Sequence, residues 1–139
     1  MSRPILDRPA AKLNGLVMRD RQRYARAMTA PRLRTEIWFQ AQLRLCDLRG
    51  IPVMVLRRGD RDAGAVVLKL LARDGVPTLY AQTSRMDGAR AWRRVALPEP
   101  GGEAEADAYL AREVKRDPDL WIIEIEDRDG AYELDAPLA

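Results

Sequence analysis

The chain has 139 residues and a mass of 15.7 kDa, a length that supports one hydrophobic core. Its apolar fraction of 47% and charged fraction of 32% are typical of a folded domain. It has no His and one Cys, which excludes Cys/His zinc sites, His general bases and an intramolecular disulfide. Because Ser occurs only at positions 2 and 84, we expect no acyl-transfer activity. We also expect no cofactor.

Positive charge is concentrated near the N-terminus. Residues 1–34 contain nine Lys or Arg and two Asp, whereas the remainder is net acidic. No apolar run approaches the roughly 20 residues of a membrane span, and no secretory signal is recognisable. We therefore expect a cytoplasmic protein that has a basic N-terminal arm at residues 1–30 and a single α+β domain at residues 31–139.

The arm is predicted to be flexible, or partly helical over residues 13–28. Five arginines in and just after it could contact the phosphates of a nucleic acid. They are Arg19, Arg23, Arg26, Arg32 and Arg34. The competing interpretation is a solvated arm, because few aromatic residues are present to stack on bases.

The domain is predicted to begin with a helix over residues 35–49, which Thr35 caps and Gly50 ends. Its main apolar stripe contains Ile37, Trp38, Ala41, Leu45 and Leu48. A second stripe on roughly the opposite side contains Phe39, Leu43 and Cys46. A helix with two apolar faces needs two covers. Either residues 13–28 or another subunit is expected to supply the second one.

The rest of the chain predicts strands and one more helix. Apolar runs at residues 53–58, 65–71, 76–82 and 91–97, with Asp-Gly turns, indicate an antiparallel meander. A helix over residues 103–116, a strand over 120–126 and a short run at 131–134 follow. The predicted fold is a mainly antiparallel sheet of five or six strands with both helices packed on one face.

A sheet with both helices on one face leaves its other face open. If that face presents Tyr80, Trp92 and Trp121, it needs a cover. Self-association is the simplest cover, so we expect a homodimer.

Three arginines in the loop after the first strand form a candidate anion site. Arg57, Arg58 and Arg61 alternate there with Asp and Gly, and could bind a phosphate or a carboxylate. In the favoured alternative, the Asp and Gly residues serve turn geometry and the charges pair with one another.

Carboxylates at the end of the last strand form a candidate metal site. Glu124 and Glu126 share one face of the strand, and with Asp127 they could hold Mg²⁺ in a carboxylate-metal-dependent hydrolase. The favoured alternative is that Glu124 or Glu126 pairs with a strand cation such as Lys69 or Arg93.

Lys69 and Cys46 are the remaining reactive groups. Lys69 lies in an apolar strand, where a base or a Schiff-base amine is one interpretation and an ion pair with a carboxylate is the commoner one. Cys46 has apolar neighbours and no His to activate it, so we expect a buried, unreactive thiol.

Three segments of the chain carry a resemblance to a known bacterial family. They are residues 32–38, the Arg-Gly-Asp-x-Asp-Ala-Gly-Ala turn at residues 58–65, and the acidic and apolar segment at residues 117–130. Over about residues 31–134 the chain resembles the small cytoplasmic family known as domain of unknown function 1491. The resemblance implies no activity, ligand or catalytic residue.

The missing catalytic residue types decide the leading functional hypothesis. We expect a non-enzymatic binding or protein-interaction module with a protein partner. The first alternative is nucleic-acid association through residues 19–34, and the second is the carboxylate-metal hydrolase.

Overall fold

A computed structural model describes residues 33–139, which form two helices and one sheet. The helices are α1 (Thr35–Leu48) and α2 (Glu103–Arg116), and the strands are β1 (Val53–Arg57), β2 (Val66–Leu71), β3 (Pro77–Ser84), β4 (Arg90–Arg94) and β5 (Trp121–Glu126). The α+β prediction is confirmed. Residues 131–134 are irregular rather than a sixth strand. Neither described helix combines the length and apolar character that crossing a membrane requires.

The sheet has the strand order β1-β5-β2-β3-β4. β5 is parallel to β2, and every other neighbouring pair is antiparallel, so the mainly antiparallel prediction is confirmed. The predicted four-strand meander is wrong at β1, because β5 lies between β1 and β2. β2 and β5 contain nearly continuous apolar runs, which suit strands at the centre of a sheet that is covered on both faces.

The two helices pack on opposite faces of this sheet, so the prediction of one shared face is wrong. Successive side chains of a strand point to opposite faces. Val66 and Leu68 pack in the α1 core with Trp38, whereas Val67 packs in the α2 core with Leu110. Each face of β2 carries buried apolar side chains, and each is covered by its own helix.

The aromatic face that motivated the predicted homodimer is the face that α1 covers. Trp92 and Trp121 are fully buried there, and Tyr80 packs against the same cluster. The chain therefore buries these aromatic side chains by itself, and they supply no reason for a second subunit.

The ends and the buried face of α1 differ in part from the prediction. Arg34 is the N-cap, and the buried Thr35 hydroxyl instead donates to the Gly64 carbonyl oxygen at 2.6 Å. Gly50 ends the helix as predicted, with φ at 68°. The buried face combines members of both predicted stripes, since the core contains Phe39 and Cys46 from the second. Two members of the first stripe, Ile37 and Leu48, are each 40% exposed. The arm that was expected to cover this helix lies outside the described residues.

Candidate functional site

The loop between β1 and β2 packs against the N-terminus of α1. The Thr35 and Glu36 amides donate to the carbonyl oxygens of Asp62 and Arg61, at 3.3 and 2.9 Å. These amides belong to the first turn of the helix, where an anion would otherwise bind. The loop backbone therefore occupies donors that an anion site at this helix end would need.

The three arginines of this loop have partners within the domain. Arg61 Nε lies 2.6 Å from Glu36 Oε1, and this hydrogen bond lowers the pKa of the Glu36 carboxyl. Arg58 Nη1 lies 3.9 Å from Glu36 Oε2, and its guanidinium lies 5.1 Å from the centre of the Trp121 ring. Arg57 Nη2 donates to the Pro118 carbonyl oxygen at 2.6 Å. These contacts support the structural interpretation of the loop over an anion site.

Two glycines allow the same loop to approach the chain just before β5. The Asp60 amide donates to the Asp119 carbonyl oxygen at 3.0 Å, and Trp121 Nε1 donates to the Asp60 carbonyl oxygen at 2.7 Å. A Cβ atom on Gly59 or Gly64 would lie 2.0 or 2.4 Å from the Asp119 oxygen. Sequence reasoning assigned these glycines to turn geometry and missed this close approach.

The carboxylates proposed as metal ligands have three different partners. Glu124 Oε2 lies 3.5 Å from Lys69 Nζ, and Glu126 Oε2 lies 3.2 Å from Arg128 Nη2. Asp127 Oδ1 accepts a hydrogen bond from the Tyr132 amide at 3.0 Å. Within residues 33–139, no group of three or more Cys, Asp or Glu side chains is arranged so that it could hold a metal ion. Glu124 or Glu126 was expected to pair with a strand cation such as Lys69 or Arg93, and the contact of Glu124 with Lys69 is the pairing of that kind that the structure shows.

Lys69 joins α2 to the sheet. Lys69 is 3% exposed, and its ammonium group contacts the carboxylates of Glu103, Asp107 and Glu124. Burial alone would lower the pKa of Lys69, but the hydrogen bond to Glu103 and the three negative charges outweigh burial and raise it. A protonated ammonium is neither a base nor a Schiff-base nucleophile. The geometry therefore supports a structural ion pair.

We expect the Lys69 pairing to make stability depend on pH in the alkaline range. The pKa of Lys69 is raised above its ordinary value of 10.5, so its stabilising effect is complete below pH 10.5 and is lost as pH rises through the folded-state pKa. Urea unfolding of the wild type and of Lys69→Met between pH 8 and 12 measures this effect. The stability difference between the two proteins should shift in favour of Lys69→Met at high pH. A difference that stays constant with pH would contradict the prediction.

Cys46 is buried in the α1 core, as predicted. Burial raises the pKa of its thiol to about 11. We expect a thiol reagent at pH 8 to label the native protein far more slowly than the urea-unfolded protein, because both access and the thiolate fraction are low. Equal labelling rates in the two states would contradict this prediction.

A cluster that sequence reasoning missed forms around Asp135, in the segment after β5. Asp135 accepts hydrogen bonds from the indoles of Trp38 and Trp92, at 2.6 and 2.8 Å. The Arg90 guanidinium lies 4.7 Å from the centre of the Trp38 ring. The only sequence signal was an acid between the apolar residues Leu134 and Ala136.

The chain's C-terminal residues cover one edge of the sheet. The Trp92 amide of β4 donates to the Pro137 carbonyl oxygen at 2.9 Å, and the Ala139 amide donates to the Trp92 carbonyl oxygen at 2.8 Å. Leu138 forms a parallel bridge with Trp92. The outer edge of β4 is therefore paired within the chain.

The opposite edge of the sheet has no second partner strand within residues 33–139. β1 is paired only with β5 among residues 33–139. Met54 and Leu56 are 60% and 43% exposed, because α2 packs over the middle of the sheet and does not reach them. This unpaired apolar edge, formed by residues 53–56, is the strongest candidate for a binding site in the described part of the chain.

The arginines proposed for nucleic acid are mostly outside the described residues. Arg19, Arg23, Arg26 and Arg32 lie there. Arg34 is described, and its Nη1 lies 3.6 Å from Asp62 Oδ1 on the surface.

The comparisons with known proteins identify relatives. The family model described as "Protein of unknown function (DUF1491)" matches residues 33–135. The crystal structure of a DUF1491 family protein from Caulobacter crescentus CB15 is 40% identical, covers 77% of this chain and 99% of its own, and has a TM-score of 0.68. The solution structure of a protein from A. tumefaciens is 29% identical, covers 74% of this chain and 89% of its own, and has a TM-score of 0.58.

Neither structure's description gives an activity or a ligand, and the search of curated proteins returned no match. The match to residues 33–135 spans the helices, the sheet and the docked loop. This chain belongs to the DUF1491 family.

Proposed function

We propose that this protein is a non-catalytic interaction module that binds an extended protein segment along the outer edge of β1. The observation that carries the proposal is the outer edge of β1, which pairs with no strand among residues 33–139 and lies beside the exposed side chains of Met54 and Leu56. An extended segment can add a strand to such an edge, with affinity from backbone hydrogen bonds and specificity from alternate side chains.

The contrast between the two edges of the sheet supports this proposal. Folded proteins normally protect an edge strand with charges, with Pro or with a covering segment. The edge of β4 is covered by residues 137–139, whereas residues 53–56 of β1 carry no charge and no Pro. These four residues are bounded by Pro52 and Arg57, and the pairing of β1 with β5 is irregular between Val55 and Arg57.

The backbone of β1 has donors and acceptors that are available to a partner. The Glu126 amide donates to the Pro52 carbonyl oxygen, so the backbone groups of residues 52 and 54 face β5. In an antiparallel pair the alternate residues face outward. The amides and carbonyls of Val53 and Val55 therefore point away from the sheet, where a partner strand would bind.

The non-catalytic part of the proposal is supported by how the candidate reactive groups are used. Lys69 is held as a protonated ammonium among carboxylates, and the Cys46 thiol is buried with a raised pKa. Arg58 and Arg61 both lie beside Glu36. Each of these groups has a structural role within the domain.

Photo-crosslinking of the full chain in cells tests the proposed function. A photoreactive benzophenone amino acid replaces Met54 in one protein and the fully exposed Met86 in the control. We expect an adduct with a protein segment from position 54 and none above background from position 86. Adding Leu56→Lys to the first protein should abolish the adduct, because a charge on the edge opposes strand addition. Equal adduct yields from the two positions would contradict the proposal.

A second candidate function, nucleic-acid association, is favoured by one observation. Arg85, Arg93 and Arg94 on the β3–β4 hairpin are exposed and have no acidic partner within 4.0 Å among residues 33–139. Binding of a labelled DNA duplex at two salt concentrations tests it. Replacing all three arginines with Gln should weaken binding and reduce its salt dependence by about one unit of log-log slope for each phosphate that is no longer neutralised. Binding by the variant equal to that of the wild type would contradict this candidate.

A further inference from the structure

We propose that the segment bound along β1 is β1 of a second copy of this chain, arranged antiparallel about a two-fold axis at Met54. This inference rests on the proposed function, since it names the partner of the same edge. It joins two five-stranded sheets into one continuous sheet of ten strands. The interface is isologous, because each copy contributes the same surface.

The outward backbone groups of β1 are self-complementary in this register. With the axis at Met54, Val53 of one copy lies opposite Val55 of the other, and the reverse pair is equivalent. Each such pair exchanges two hydrogen bonds in an antiparallel ladder. Both outward amides and both outward carbonyls of residues 53 and 55 on each copy are then paired. The irregularity between Val55 and Arg57 ends the ladder just beyond this point.

The side chains of β1 are also compatible with a copy of themselves. The two Met54 residues form a pair without backbone hydrogen bonds, in which side chains approach most closely. Met54 is the most exposed apolar side chain of the strand. Arg57 would lie opposite Ile51, so no like charges face each other across the new ladder. The edge therefore needs no other protein to supply an apolar, uncharged strand.

The mass of the full-length protein in solution is the first test. Light scattering over a concentration series should approach twice the chain mass of 15.7 kDa. Met54→Lys should give the monomer mass, because two ammonium groups would face each other at the axis. The fold should tolerate this change, since Met54 is exposed and lies opposite Glu124 in β5. Met86→Lys, on the exposed β3–β4 hairpin, is the matched control and should remain a dimer.

Engineered cysteines test the register. A pair without backbone hydrogen bonds has a Cα separation of about 4.5 Å, which a disulfide can bridge. Met54→Cys should therefore form an intermolecular disulfide on mild oxidation. The two copies of residue 56 would be about 13 Å apart, so Leu56→Cys should form far less. Met86→Cys measures the background from random collisions, and the buried Cys46 is present in all three proteins.

The outcomes separate this inference from the proposed function. A monomer at every concentration, together with a Met54-specific adduct to another protein in cells, would overturn the second-copy inference and leave the proposed function standing. A monomer with no Met54-specific adduct would overturn both. If the Met54→Lys variant remained a dimer, and the Met54→Cys variant formed no more disulfide than the other cysteine variants, β1 would not be the interface. A dimer lost in Met54→Lys, with a disulfide specific to Met54→Cys, is the expected result.

Discussion

Replacing Gly59 with Ala should lower the free energy of unfolding by about 3 kcal/mol, a loss at the upper end of that expected for overpacking. A Cβ atom at this position would lie 2.0 Å from the Asp119 carbonyl oxygen, which belongs to the backbone and cannot rotate away. The loop would have to move off the chain before β5. That movement would also break the hydrogen bond between the Asp60 amide and the Asp119 oxygen. Urea unfolding followed by circular dichroism measures the loss.

Gly102→Ala is the matched control for this substitution. Gly102 also has a negative φ, and its added Cβ would lie 3.6 Å from Glu105 Oε1, an ordinary contact. We expect a loss of about 1 kcal/mol or less, because Ala is only a poorer N-cap than Gly. If Gly59→Ala were no more destabilising than Gly102→Ala, the inference that the loop needs a glycine to approach Asp119 would be wrong.

Asp135→Ala should lower the free energy of unfolding by about 2–4 kcal/mol. Its carboxylate accepts hydrogen bonds from the indoles of Trp38 and Trp92, two fully buried residues. Removing the carboxylate leaves both indole N–H groups without a partner in the core. It also removes the negative charge that acts on the guanidinium of Arg90, whose pKa burial already lowers. Urea unfolding and the near-ultraviolet signal of the tryptophans together measure the effect.

Two other substitutions define the origin of that loss. Asp135→Asn keeps one acceptor oxygen and turns an NH₂ group towards the second indole, so an intermediate loss is expected. Glu133→Ala removes a nearby acid that is exposed and 3.9 Å from Arg49, and should cost less than about 1 kcal/mol. Equal losses for Asp135→Ala and Glu133→Ala would mean that the two indole hydrogen bonds contribute nothing measurable.

Asp135 also connects the core to the β4 edge of the sheet. It anchors the C-terminal segment, and residues 137–139 of that segment pair with β4. Within residues 33–139, the edge of β4 is therefore bonded at Trp92, whereas β1 has no strand on its outer side. In the proposed dimer, the continuous sheet would therefore end at β4 in each copy.

Local patterns were sufficient to identify the helices and strands. The apolar stripe and Gly50 predict α1 and its end, and early acids with late basic residues predict α2. Apolar runs predict all five strands, and Asp-Gly turns separate β2 from β3 and β3 from β4. These features depend on residues a few positions apart, so the sequence contains the information directly. The ion pair between Lys69 and Glu124 was also predictable, since each is a charged residue in a largely apolar strand.

The arrangement of the elements was decided by contacts between residues far apart in the chain. β2 and β5 are apolar at successive positions, and this pattern indicates that both faces of each strand are buried. The pattern does not indicate which helix covers which face. Nor does it say that β5 lies between β1 and β2. Without that strand order, β1 could not be recognised as an edge strand of the described sheet.

The sequence by itself therefore determined the fold class, the elements and the residue types that limit the chemistry of this protein. The tertiary structure decided which charges pair, why Gly59 and Gly64 are needed, and which strands lie at the edges of the sheet. The physical reason is the range of the interactions. Helix caps, turns and periodicity act between near neighbours, whereas strand order and close backbone approach depend on how the whole core is packed.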